Sequence, residues 1–473
     1  MPSSIYLSAA HKSSGKTVVS LGLCAAFKAR ALEVQAFKKG PDYIDPVWLS
    51  QASGNPCYNL DFYTMSKTEI AQLFHQQQSD ISIIEGNKGL YDGMSTTGGD
   101  ANADMAKLLG VPVVLVVDTN GITRGIAPLL QGYQIFDTDV DIAGVILNKV
   151  ASNRHESKLI HAVEHYTDIP VLGTVRRSKE LVIDERHLGL MPANEAPQSQ
   201  KFIDNAAKII AEQVDLDKVL SFKGDATLFS DVLDKKKKGS VPFKKVTKTI
   251  NNLTVAVAKD KAFGFYYPDD LDMFKSLGVD IQYFDALTTS KLPACDGLFI
   301  GGGFPETQLE ALSANQSLLS DIKSKIEQGL PTYAECGGLM YLSQTITYQE
   351  KSYQMAGAIE ADCVMAPKPI GRGYVQLAPT DQHPWEGVAE KIYAHEFHYS
   401  KLENINPKTH YAYKVLRGVG VDNERDGILV HNLLATYAHL RSVGGNHWVE
   451  QFINFVFSHS ASQGNAEQSK TLD

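Results

Sequence analysis

The stretch "SIYLSAAHKSSGKT" (residues 4–17) runs from an apolar, β-rich segment into a glycine, a lysine and a threonine that open a helical pattern. Its second half matches the phosphate-binding pattern G-x-x-x-x-G-K-[ST] except at Ala10, which stands where the first glycine is usual. In such a loop the backbone N–H groups and the N-terminus of the next helix bind phosphate. The strand–loop–helix order favours a nucleotide site over a turn of small residues with an exposed lysine. Ala10 fits if its position does not require a positive φ.

Three further side chains extend this predicted nucleotide site. Lys16 is expected to reach the β- and γ-phosphates, and the Thr17 hydroxyl is expected to bind Mg²⁺. Asn148 ends the apolar run "GVILNK" (144–149), where its amide donor and acceptor suit the edge of an adenine base. The alternative for Asn148 is an ordinary capping residue.

The first part of the chain alternates apolar, β-branched runs with helical patterns such as 16–30 and 200–214. Uninterrupted apolar runs are typical of parallel strands that are buried on both faces. Strand–helix alternation therefore predicts a doubly wound parallel sheet whose ligands bind at the carboxyl ends of the strands. The strand-like runs after the first are "ISIIEG" (81–86), "VPVVLVVD" (111–118), "IAGVILNK" (142–149) and "IPVLGTV" (169–175).

A second α/β domain is predicted downstream of a polar, lysine-rich segment. Residues 222–250 are poor in large apolar side chains, which is typical of a solvated linker, with a basic nucleic-acid patch as the alternative. The β and helical patterns then resume, including a helix predicted over 305–328. The predicted division is therefore a nucleotide-binding domain (1–221), the linker, a second α/β domain (251–458) and a disordered tail (459–473).

The composition excludes several classes of protein. A chain of 473 residues with 43% apolar and 21% charged residues predicts a soluble globular protein of more than one domain. The formal charge of −9 argues against a nucleic-acid or anionic-membrane binder. No apolar run approaches the roughly 18–20 residues of a membrane span, and no signal peptide is expected. Five cysteines without metal-type spacing favour a reduced, cytoplasmic protein.

Four carboxylates are predicted at strand ends beside the nucleotide. Asp42 and Asp45 lie in the turn-rich loop "KKGPDYIDP", Glu85 ends a buried strand, and Asp92 follows it in "EGNKGLYDG". Nucleotide-bound Mg²⁺ usually needs one or two carboxylates besides phosphates and water. Four acids exceed that need, which indicates a second metal or a contact with substrate. Each acid taken alone also fits a cap or a surface ion pair.

A strand, a cysteine and two glycines form a second motif, "PTYAECGG" (331–338), ahead of an apolar helix pattern. This order predicts a nucleophile elbow that exposes Cys336 at a helix N-terminus, where the helix dipole lowers its pKa. The glycine-rich run "GLFIGGGFPE" offers the backbone N–H groups of Gly302 and Gly303 to an oxyanion. His439 in "LLATYAHLR" is the candidate base. The alternatives are a buried inert thiol and a structural histidine.

Taken together, the motifs resemble those of the cobyrinate a,c-diamide synthase family over nearly the whole chain. The resemblance implies a glutamine-dependent tetrapyrrole amidase with two doubly wound α/β domains. The N-terminal domain would be P-loop NTPase-like, of the dethiobiotin-synthetase type, and the C-terminal domain class I glutamine amidotransferase-like. The motifs that carry the resemblance are "SSGKT", "KKGPDYIDP", "EGNKGLYDG", "GVILNK", "ERHLGL", "GGGFPE", "ECGG", "AHEFHYS" and "ATYAHLR".

For the first domain the resemblance implies sites for ATP, Mg²⁺ and a substrate carboxylate. ATP would phosphorylate a peripheral carboxylate of a tetrapyrrole and so convert it to an acyl phosphate, while Lys16 and Mg²⁺ offset the charge on the phosphoryl group. Mg²⁺ would lie near Thr17 and Glu85. The remaining implied residues are Ser14, Gly15, Lys16 and Thr17 for the ATP phosphates and Asp42, Asp45 and Asp92 around the metal and the substrate.

For the second domain the resemblance implies L-glutamine as the amido donor. Cys336 would attack the glutamine amide with His439 as its base, and the released ammonia would pass to the acyl phosphate. Class I glutaminases typically carry a glutamate two residues after this histidine, where this chain has Arg441. Another group or the backbone must therefore orient His439.

The sequence leaves open which tetrapyrrole is the substrate. Cobyrinate is the favoured substrate, but "GNKGLYDG" (86–93) and "AHKSS" (10–14) resemble the branch that amidates sirohaem. A protein of charge −9 repels a polycarboxylate at long range, so basic groups are expected in the pocket. The candidates are Arg176, Arg177 and Arg372, each of which also fits an ordinary surface charge. The oligomeric state is equally open, with a homodimer as one expectation.

Two other classes compete with the amidase. A regulatory P-loop ATPase with a non-catalytic second domain often carries an early lysine where this loop has His11. A synthetase of the dethiobiotin type would use free ammonia or CO₂. An intact pair of Cys336 and His439 has no purpose in either class, so the sequence favours the amidase.

Overall fold

Seven strands form one sheet in the first part of the chain: β1 (Ser3–Ala9), β2 (Val34–Lys39), β3 (Tyr58–Leu60), β4 (Ile81–Glu85), β5 (Val113–Asp118), β6 (Ile142–Val150) and β7 (Val171–Arg176). Their order is β3-β2-β4-β1-β5-β6-β7, and every neighbouring pair is parallel. Every residue of β1, β2 and β4 is buried, as near-continuous apolar runs predict for parallel strands. Because these strands are adjacent and parallel, their carboxyl ends meet at one edge of the sheet.

Six helices connect these strands: α1 (Lys16–Ala29), α2 (Ile44–Ser53), α3 (Lys67–Gln76), α4 (Asn102–Leu109), α5 (Ile126–Phe136) and α6 (Asn153–Tyr166). Two more helices follow β7, α7 (Ser199–Gln213) and α8 (Leu216–Ser221). Local chemistry sets their ends. Ser66 and Glu69 form a capping box that starts α3, and Gly54 ends α2 at φ 86°, a conformation that glycine adopts without strain. The segment "ERHLGL" contains two short antiparallel strands, β8 (Glu185–Arg186) and β9 (Gly189–Leu190).

The computed structural model divides the chain into two compact units, Met1–Ser240 and Val241–Asp473. This boundary falls inside the predicted linker, 222–250, most of which lies outside the described residues. Its first residues bond to the N-terminal unit, since Asp225 N–H donates to the Gly110 carbonyl at 2.7 Å. The structure describes residues 2–182, 185–186, 189–191, 193–195, 198–225 and 253–470, and it describes only the backbone of 185, 186, 189, 190 and 461–470.

The C-terminal unit contains a mixed nine-stranded sheet with the order β12-β10-β13-β15-β24-β23-β22-β19-β20. Its first five strands are parallel and the other four are antiparallel. The bounds are β10 (Thr254–Ala258), β12 (Asp280–Phe284), β13 (Gly297–Ile300), β15 (Thr332–Glu335), β19 (Gly371–Pro379), β20 (Ile392–His398), β22 (His410–Arg417), β23 (Arg425–Val430) and β24 (Leu433–Thr436).

Smaller elements complete this unit. A two-stranded sheet pairs β11 with β14, and a four-stranded sheet has the order β17-β16-β18-β21. Alternate residues of β10 belong to two apolar clusters, Ala256 to one and Val257 to the other, so the large sheet has a core on each face. The bounds are β11 (Phe263–Phe265), β14 (Gly302–Gly303), β16 (Thr345–Tyr348), β17 (Lys351–Gln354), β18 (Asp362–Met365), β21 (Ser400–Glu403), α9 (Pro268–Ser276), α10 (Leu309–Ala314), α11 (Gln316–Glu327), α12 (Gly337–Leu342) and α13 (Trp448–Lys470).

Two segments differ from the sequence-based expectations. The helix predicted over 305–328 is divided, because Asn315 lies between α10 and α11 at φ −82°, ψ 56°, outside the helical region. The disordered tail predicted from residue 459 instead continues α13 to Lys470, in a stretch that contains the helix formers Ala, Gln, Glu and Lys. Within the described ranges, none of the helices has both the length and the apolar character that crossing a bilayer requires.

Candidate active sites

The loop after β1 has the backbone of a phosphate-binding loop. Gly15 lies at φ 84° and Ser13 at φ 65°, so the chain turns sharply before α1. Ala10 does not have a positive φ, which explains why alanine is tolerated where a glycine is usual. The Tyr133 hydroxyl donates to the Ala10 carbonyl at 2.5 Å and holds the start of the loop.

Asn148 at the end of β6 packs directly against this loop. Its side-chain amide donates to the Ser14 carbonyl at 2.8 Å, and a Cβ built on Gly15 would lie 2.2 Å from the same nitrogen. Glycine is therefore required at position 15 for space as well as for its φ. The observed contact supports the loop, and a contact of Asn148 with adenine stays a prediction.

Lys16 begins α1, and its side chain reaches the loop that follows β4. Its ammonium donates to the Lys88 carbonyl at 2.8 Å, and the residue is only 8% exposed. Burial and the nearby charge of Lys38 lower the pKa of Lys16 to about 8, although the charge of Glu85 opposes the shift. A buried ammonium of reduced pKa is well placed to gain a negatively charged ligand.

Thr17 and Glu85 come together as the sequence predicts for a magnesium site. The Thr17 hydroxyl donates to Glu85 Oε1 at 2.9 Å, and Glu85 is fully buried at the end of β4. Within the described part of the chain, Glu85 Oε2 is buried without a hydrogen-bond partner. A hydroxyl and a carboxylate are the hard oxygen ligands that Mg²⁺ prefers, so these two side chains fit the ion.

Asp42 and Asp45 lie beside the same carboxylate, but a lysine that sequence reasoning missed stands among them. Lys38 Nζ is 2.5 Å from Asp45, 2.7 Å from Glu85 and 3.9 Å from Asp42. The parallel register of β2 and β4 places Lys38 directly opposite Glu85. The two lysines that end β2, in "VQAFKK" (34–39), were the signal available in the sequence.

Asp92 lies at the rim of this group. Its side chain accepts the Gly89 N–H at 2.9 Å, and the residue is exposed. Its charge acts on Lys16 and opposes the lowering of that pKa. Across the described ranges, no three His, Cys, Asp or Glu side chains form a ready-made metal site. An ATP-bound Mg²⁺ takes several of its ligands from phosphates and water, so such a group is not required.

The three arginines predicted for a substrate pocket belong to different units. Arg176 pairs with Glu156 at 2.8 Å, and Arg177 donates to the Lys149 carbonyl at 3.1 Å, both in the N-terminal unit. Arg372 belongs to the C-terminal unit. All three are exposed, so their roles toward a substrate stay predictions.

In the C-terminal unit, the segment from β15 to α12 has the geometry of a nucleophile elbow. Cys336 connects the strand to the helix at φ 48°, ψ −99°, a strained conformation for a residue with a side chain. Its N–H donates to the Thr436 carbonyl at 2.7 Å, and its Sγ lies 3.9 Å from the Phe397 carbonyl. The predicted elbow therefore forms at Cys336.

The electrostatic prediction for Cys336 is wrong in direction. Burial raises the pKa of the thiol well above its ordinary value, and the carboxylates of Glu306 and Glu335 raise it further. The N–H of Gly337 lowers the pKa by less than these effects raise it. Cys336 is therefore held as a neutral thiol that needs a base.

Gly302 lies against His439, and Gly303 lies against Gly337 of the elbow. A Cβ on Gly337 would lie 3.1 Å from the Gly303 nitrogen, so this backbone contacts the elbow. A Cβ on Gly302 would lie 2.4 Å from His439 Cε1, so only glycine leaves room for the imidazole. The glycine loop, the elbow and His439 converge, as the sequence predicts. An oxyanion role for the two N–H groups stays a prediction.

His439 lies three residues beyond β24 and is held on several sides. The backbone N–H of His439 donates to the His395 carbonyl at 2.8 Å, and the two imidazole rings stack with their centroids 4.9 Å apart. His439 Nδ1 lies 3.4 Å from Glu335 Oε2. Burial lowers the pKa of His395 well below its ordinary value, so the stacked partner is neutral.

Arg441, which stands where class I glutaminases carry a glutamate, forms a separate ion pair. Its Nε donates to Asp269 at 2.9 Å, and its guanidinium lies over the Tyr267 ring at 4.9 Å. The residue is 2% exposed. Arg441 is therefore a structural residue of this unit.

Both units match known families of domains. Residues 9–190 match the CobQ/CobB/MinD/ParA nucleotide binding domain, and residues 254–446 match the CobB/CobQ-like glutamine amidotransferase domain. The chain is 43% identical over 453 residues to a cobyrinate a,c-diamide synthase of Magnetococcus marinus, covering 95% of this chain and 96% of that protein. The chain belongs to the cobyrinate a,c-diamide synthase family.

Other members of the family are similar over the same span. The synthase of Picrophilus torridus is 40% identical over 463 residues, covering 96% of this chain and 99% of that protein. The synthase of Methanosarcina acetivorans is 38% identical over 467 residues, covering 93% and 92%. The predicted family and the predicted two-domain fold class are confirmed, and the regulatory ATPase with a non-catalytic second domain is not favoured.

Proposed function

We propose that this protein converts side-chain carboxylates of cobyrinate to amides, with ATP to activate the carboxylate and glutamine to supply the nitrogen. The observation that carries the proposal is the similarity to cobyrinate a,c-diamide synthases along nearly the whole chain. The two candidate sites support it, because one suits a nucleoside triphosphate and the other suits cysteine-dependent glutamine hydrolysis.

In the N-terminal unit, ATP transfers its γ-phosphoryl group to a substrate carboxylate and leaves as ADP. A carboxylate is a poor electrophile because its leaving group would be oxide, whereas an acyl phosphate releases phosphate readily. Lys16 and the N–H groups of the loop hold the phosphates and stabilise their charge. Mg²⁺, held by Thr17 and Glu85, would neutralise negative charge on the phosphates.

In the C-terminal unit, Cys336 is the nucleophile and His439 is the base. The imidazole removes the thiol proton, and Sγ attacks the amide carbonyl of glutamine. The backbone N–H groups of Gly302 and Gly303 stabilise the oxyanion of the tetrahedral intermediate. Ammonia leaves with the proton that His439 returns, and water hydrolyses the glutamyl thioester to glutamate. The ammonia displaces phosphate from the acyl phosphate and gives the amide.

Analysis of the products by mass spectrometry tests the substrate. The purified protein receives ATP, Mg²⁺ and glutamine labelled with ¹⁵N at the amide, with cobyrinic acid and sirohaem offered in separate reactions. We expect two labelled amides on cobyrinic acid and none on sirohaem. If sirohaem is labelled and cobyrinic acid is not, the proposed substrate is wrong, but the proposed class of reaction stands. If the protein amidates neither substrate and does not hydrolyse glutamine, the proposal is overturned. A homodimer stays a prediction, which light scattering on the same preparation tests.

A further inference from the structure

Glu335 is a buried carboxylate that the proposed reaction does not yet use. It ends β15 immediately before the nucleophile and is 2% exposed. A buried carboxylate is costly unless its oxygens are hydrogen-bonded or lie near a cation. The groups that contact Glu335 therefore indicate its role.

One oxygen of Glu335 is fixed by two donors. The Tyr333 hydroxyl donates to Oε1 at 2.6 Å, and the Leu440 N–H donates to the same oxygen at 2.8 Å. Tyr333 and Glu335 are two residues apart on one strand, so their side chains share a face of the sheet. Leu440 follows His439 directly, so the carboxylate is tied to the segment that carries the base.

The other oxygen of Glu335 faces the base. Oε2 lies 3.4 Å from His439 Nδ1. Stacking on His395 and the close approach of Gly302 leave the His439 ring little freedom to move away. Catalytic hydrogen bonds commonly tighten once substrate binds, so this separation suits a carboxylate that orients an imidazole.

Other buried acids of the same unit are engaged elsewhere. Glu396 accepts the N–H groups of Val419 and Gly420, each at 2.8 Å. Asp426 accepts the N–H groups of Tyr437 and Ala438, each at 3.0 Å. The position two residues after the histidine holds Arg441, which pairs with Asp269 as described above. Glu335 is thus the carboxylate that the geometry directs at the base.

We propose that Glu335 is the positioning residue of the glutaminase site, taking the part of the acid that class I enzymes place after the histidine. The inference rests on the proposed roles of Cys336 and His439. Glu335 accepts the Nδ1–H of His439, which leaves Nε2 as the nitrogen that takes the thiol proton. The carboxylate stabilises the imidazolium that forms, as in hydrolases whose acid orients a histidine.

The test compares Glu335→Gln with the wild-type enzyme in glutamine hydrolysis, followed by glutamate release. The substitution keeps the shape of the side chain but removes its charge and offers an amide to Nδ1. We expect kcat to fall by roughly 10²-fold or more, because the wrong imidazole tautomer is then favoured. KM for glutamine should change by less than about threefold, because no contact with substrate is lost.

The pH profile separates positioning from a merely structural role. A carboxylate 3.4 Å from His439 Nδ1 stabilises the imidazolium that forms when the ring takes the thiol proton. Glu335→Gln removes this stabilisation, so the acid limb of kcat/KM should move to lower pH. Other ionisable groups near His439 are the neutral His395, Cys336 and the Arg441–Asp269 pair, and all of them are retained in the variant.

Two matched variants serve as controls. Glu396→Gln makes the same change at another buried carboxylate of this unit, one that lies 3.7 Å from His398 Nε2. It should leave both kcat and the acid limb near their wild-type values. Tyr333→Phe removes a donor to Oε1 and keeps the charge, so it should lower kcat by less and leave the acid limb in place.

The outcomes of the two proposals are distinguishable. Cys336→Ser should abolish glutamine hydrolysis, and an active Cys336→Ser enzyme would overturn the proposed nucleophile. If Cys336→Ser is inactive while Glu335→Gln keeps the wild-type kcat and pH profile, the role of Glu335 alone is overturned. If Glu335→Gln does not fold, Glu335→Asp takes its place in the test. The shorter side chain keeps the negative charge but moves it away from Nδ1 of His439. That variant should lower kcat at constant KM, and a wild-type kcat would refute the inference.

Discussion

Lys38 determines how the acids of the N-terminal site ionise. Burial alone would lower its pKa, but Asp45, Glu85 and Asp42 together raise the pKa of Lys38 well above its ordinary value. Burial and the charge of Asp45 raise the pKa of Asp42 to about 7, whereas Lys38 holds the pKa of Asp45 below its ordinary value. The Lys38 ammonium thus offsets the negative charge of these closely spaced, buried carboxylates.

Replacing Lys38 with methionine should destabilise the N-terminal unit by about 3–5 kcal/mol near neutral pH, because buried carboxylates lose their counter-charge. The loss should be smaller at pH 5 than at pH 8. The acids of the variant have raised pKa values, so protonation at low pH removes their mutual repulsion. Urea unfolding followed by ¹⁹F NMR of 5-fluorotryptophan measures this, since Trp48 reports on the N-terminal unit alone.

Lys39→Met is the matched control for this prediction. Lys39 is the next residue of the same strand and is similarly buried, but its ammonium donates to the Asp100 carbonyl at 2.7 Å. Its replacement should cost less stability, and low pH should not restore the loss. Equal losses and equal pH responses of the two variants would contradict the role assigned to Lys38.

The sequence predicts most of the residues that meet at the two sites, because they stand at strand ends or in motifs of known geometry. Thr17 and Glu85 are found this way, since parallel strands bring their carboxyl ends together. Lys38 and Glu335 are missed for a common physical reason. Their partners are set by the register between strands and by the path of a distant segment, and no local pattern encodes either.

At the scale of the element, the elbow from β15 to α12 depends on the absence of side chains after the nucleophile. A Cβ on Gly338 would lie 2.2 Å from the Ile300 carbonyl oxygen, a backbone atom that cannot turn aside. The first turn of α12 can therefore approach β13 only with glycine at this position. That approach fixes where Cys336 presents its thiol.

Gly338→Ala should destabilise the C-terminal unit by roughly 1–3 kcal/mol, because the backbone must shift to accept the methyl group. Glutamine hydrolysis should fall with it as Cys336 moves. Gly132→Ala in α5 is the control, because a Cβ there meets nothing within 4 Å. It should be neutral or stabilise by about 0.5–1 kcal/mol. Chemical unfolding and a glutaminase assay give both values, and wild-type behaviour of Gly338→Ala would contradict the argument.

The elements differ in how far a sequence can anticipate them. Buried parallel strands are recognised by their apolar runs alone, as for β4 and β5. The order of the four antiparallel strands that complete the C-terminal sheet is not recognisable, because it depends on pairings between distant segments. The break at Asn315 was missed because the apolar periodicity continues on both sides of it.

At the scale of the whole molecule, each unit has its own apolar core. Cluster residues such as Ile83 and Val116 stabilise the N-terminal sheet, and Val255 and Phe452 belong to a cluster of the C-terminal unit. Units with separate cores can unfold separately, so a single free energy of unfolding does not describe such a chain.

Nucleotide should therefore stabilise one unit selectively. ATP with Mg²⁺ at 100 times its Kd adds about 2.7 kcal/mol to the unit that binds it. This corresponds to a rise of roughly 5–10 °C in its unfolding temperature. Trp48 should report the shift, whereas Trp385 and Trp448 should report an unchanged transition. One common transition that moves as a whole would contradict independent unfolding.

The Arg441–Asp269 pair carries an evolutionary consequence. A glutamate at position 441 would leave Asp269 without its cation and place a second acid beside it, at a cost on the order of 3–5 kcal/mol for breaking a buried pair. Moving the orienting acid between the two positions thus requires coordinated changes at 269, 335 and 441. A lineage that has adopted one arrangement is isolated from the other by unstable intermediates, so the location of this acid is a durable marker of descent within the amidotransferase fold.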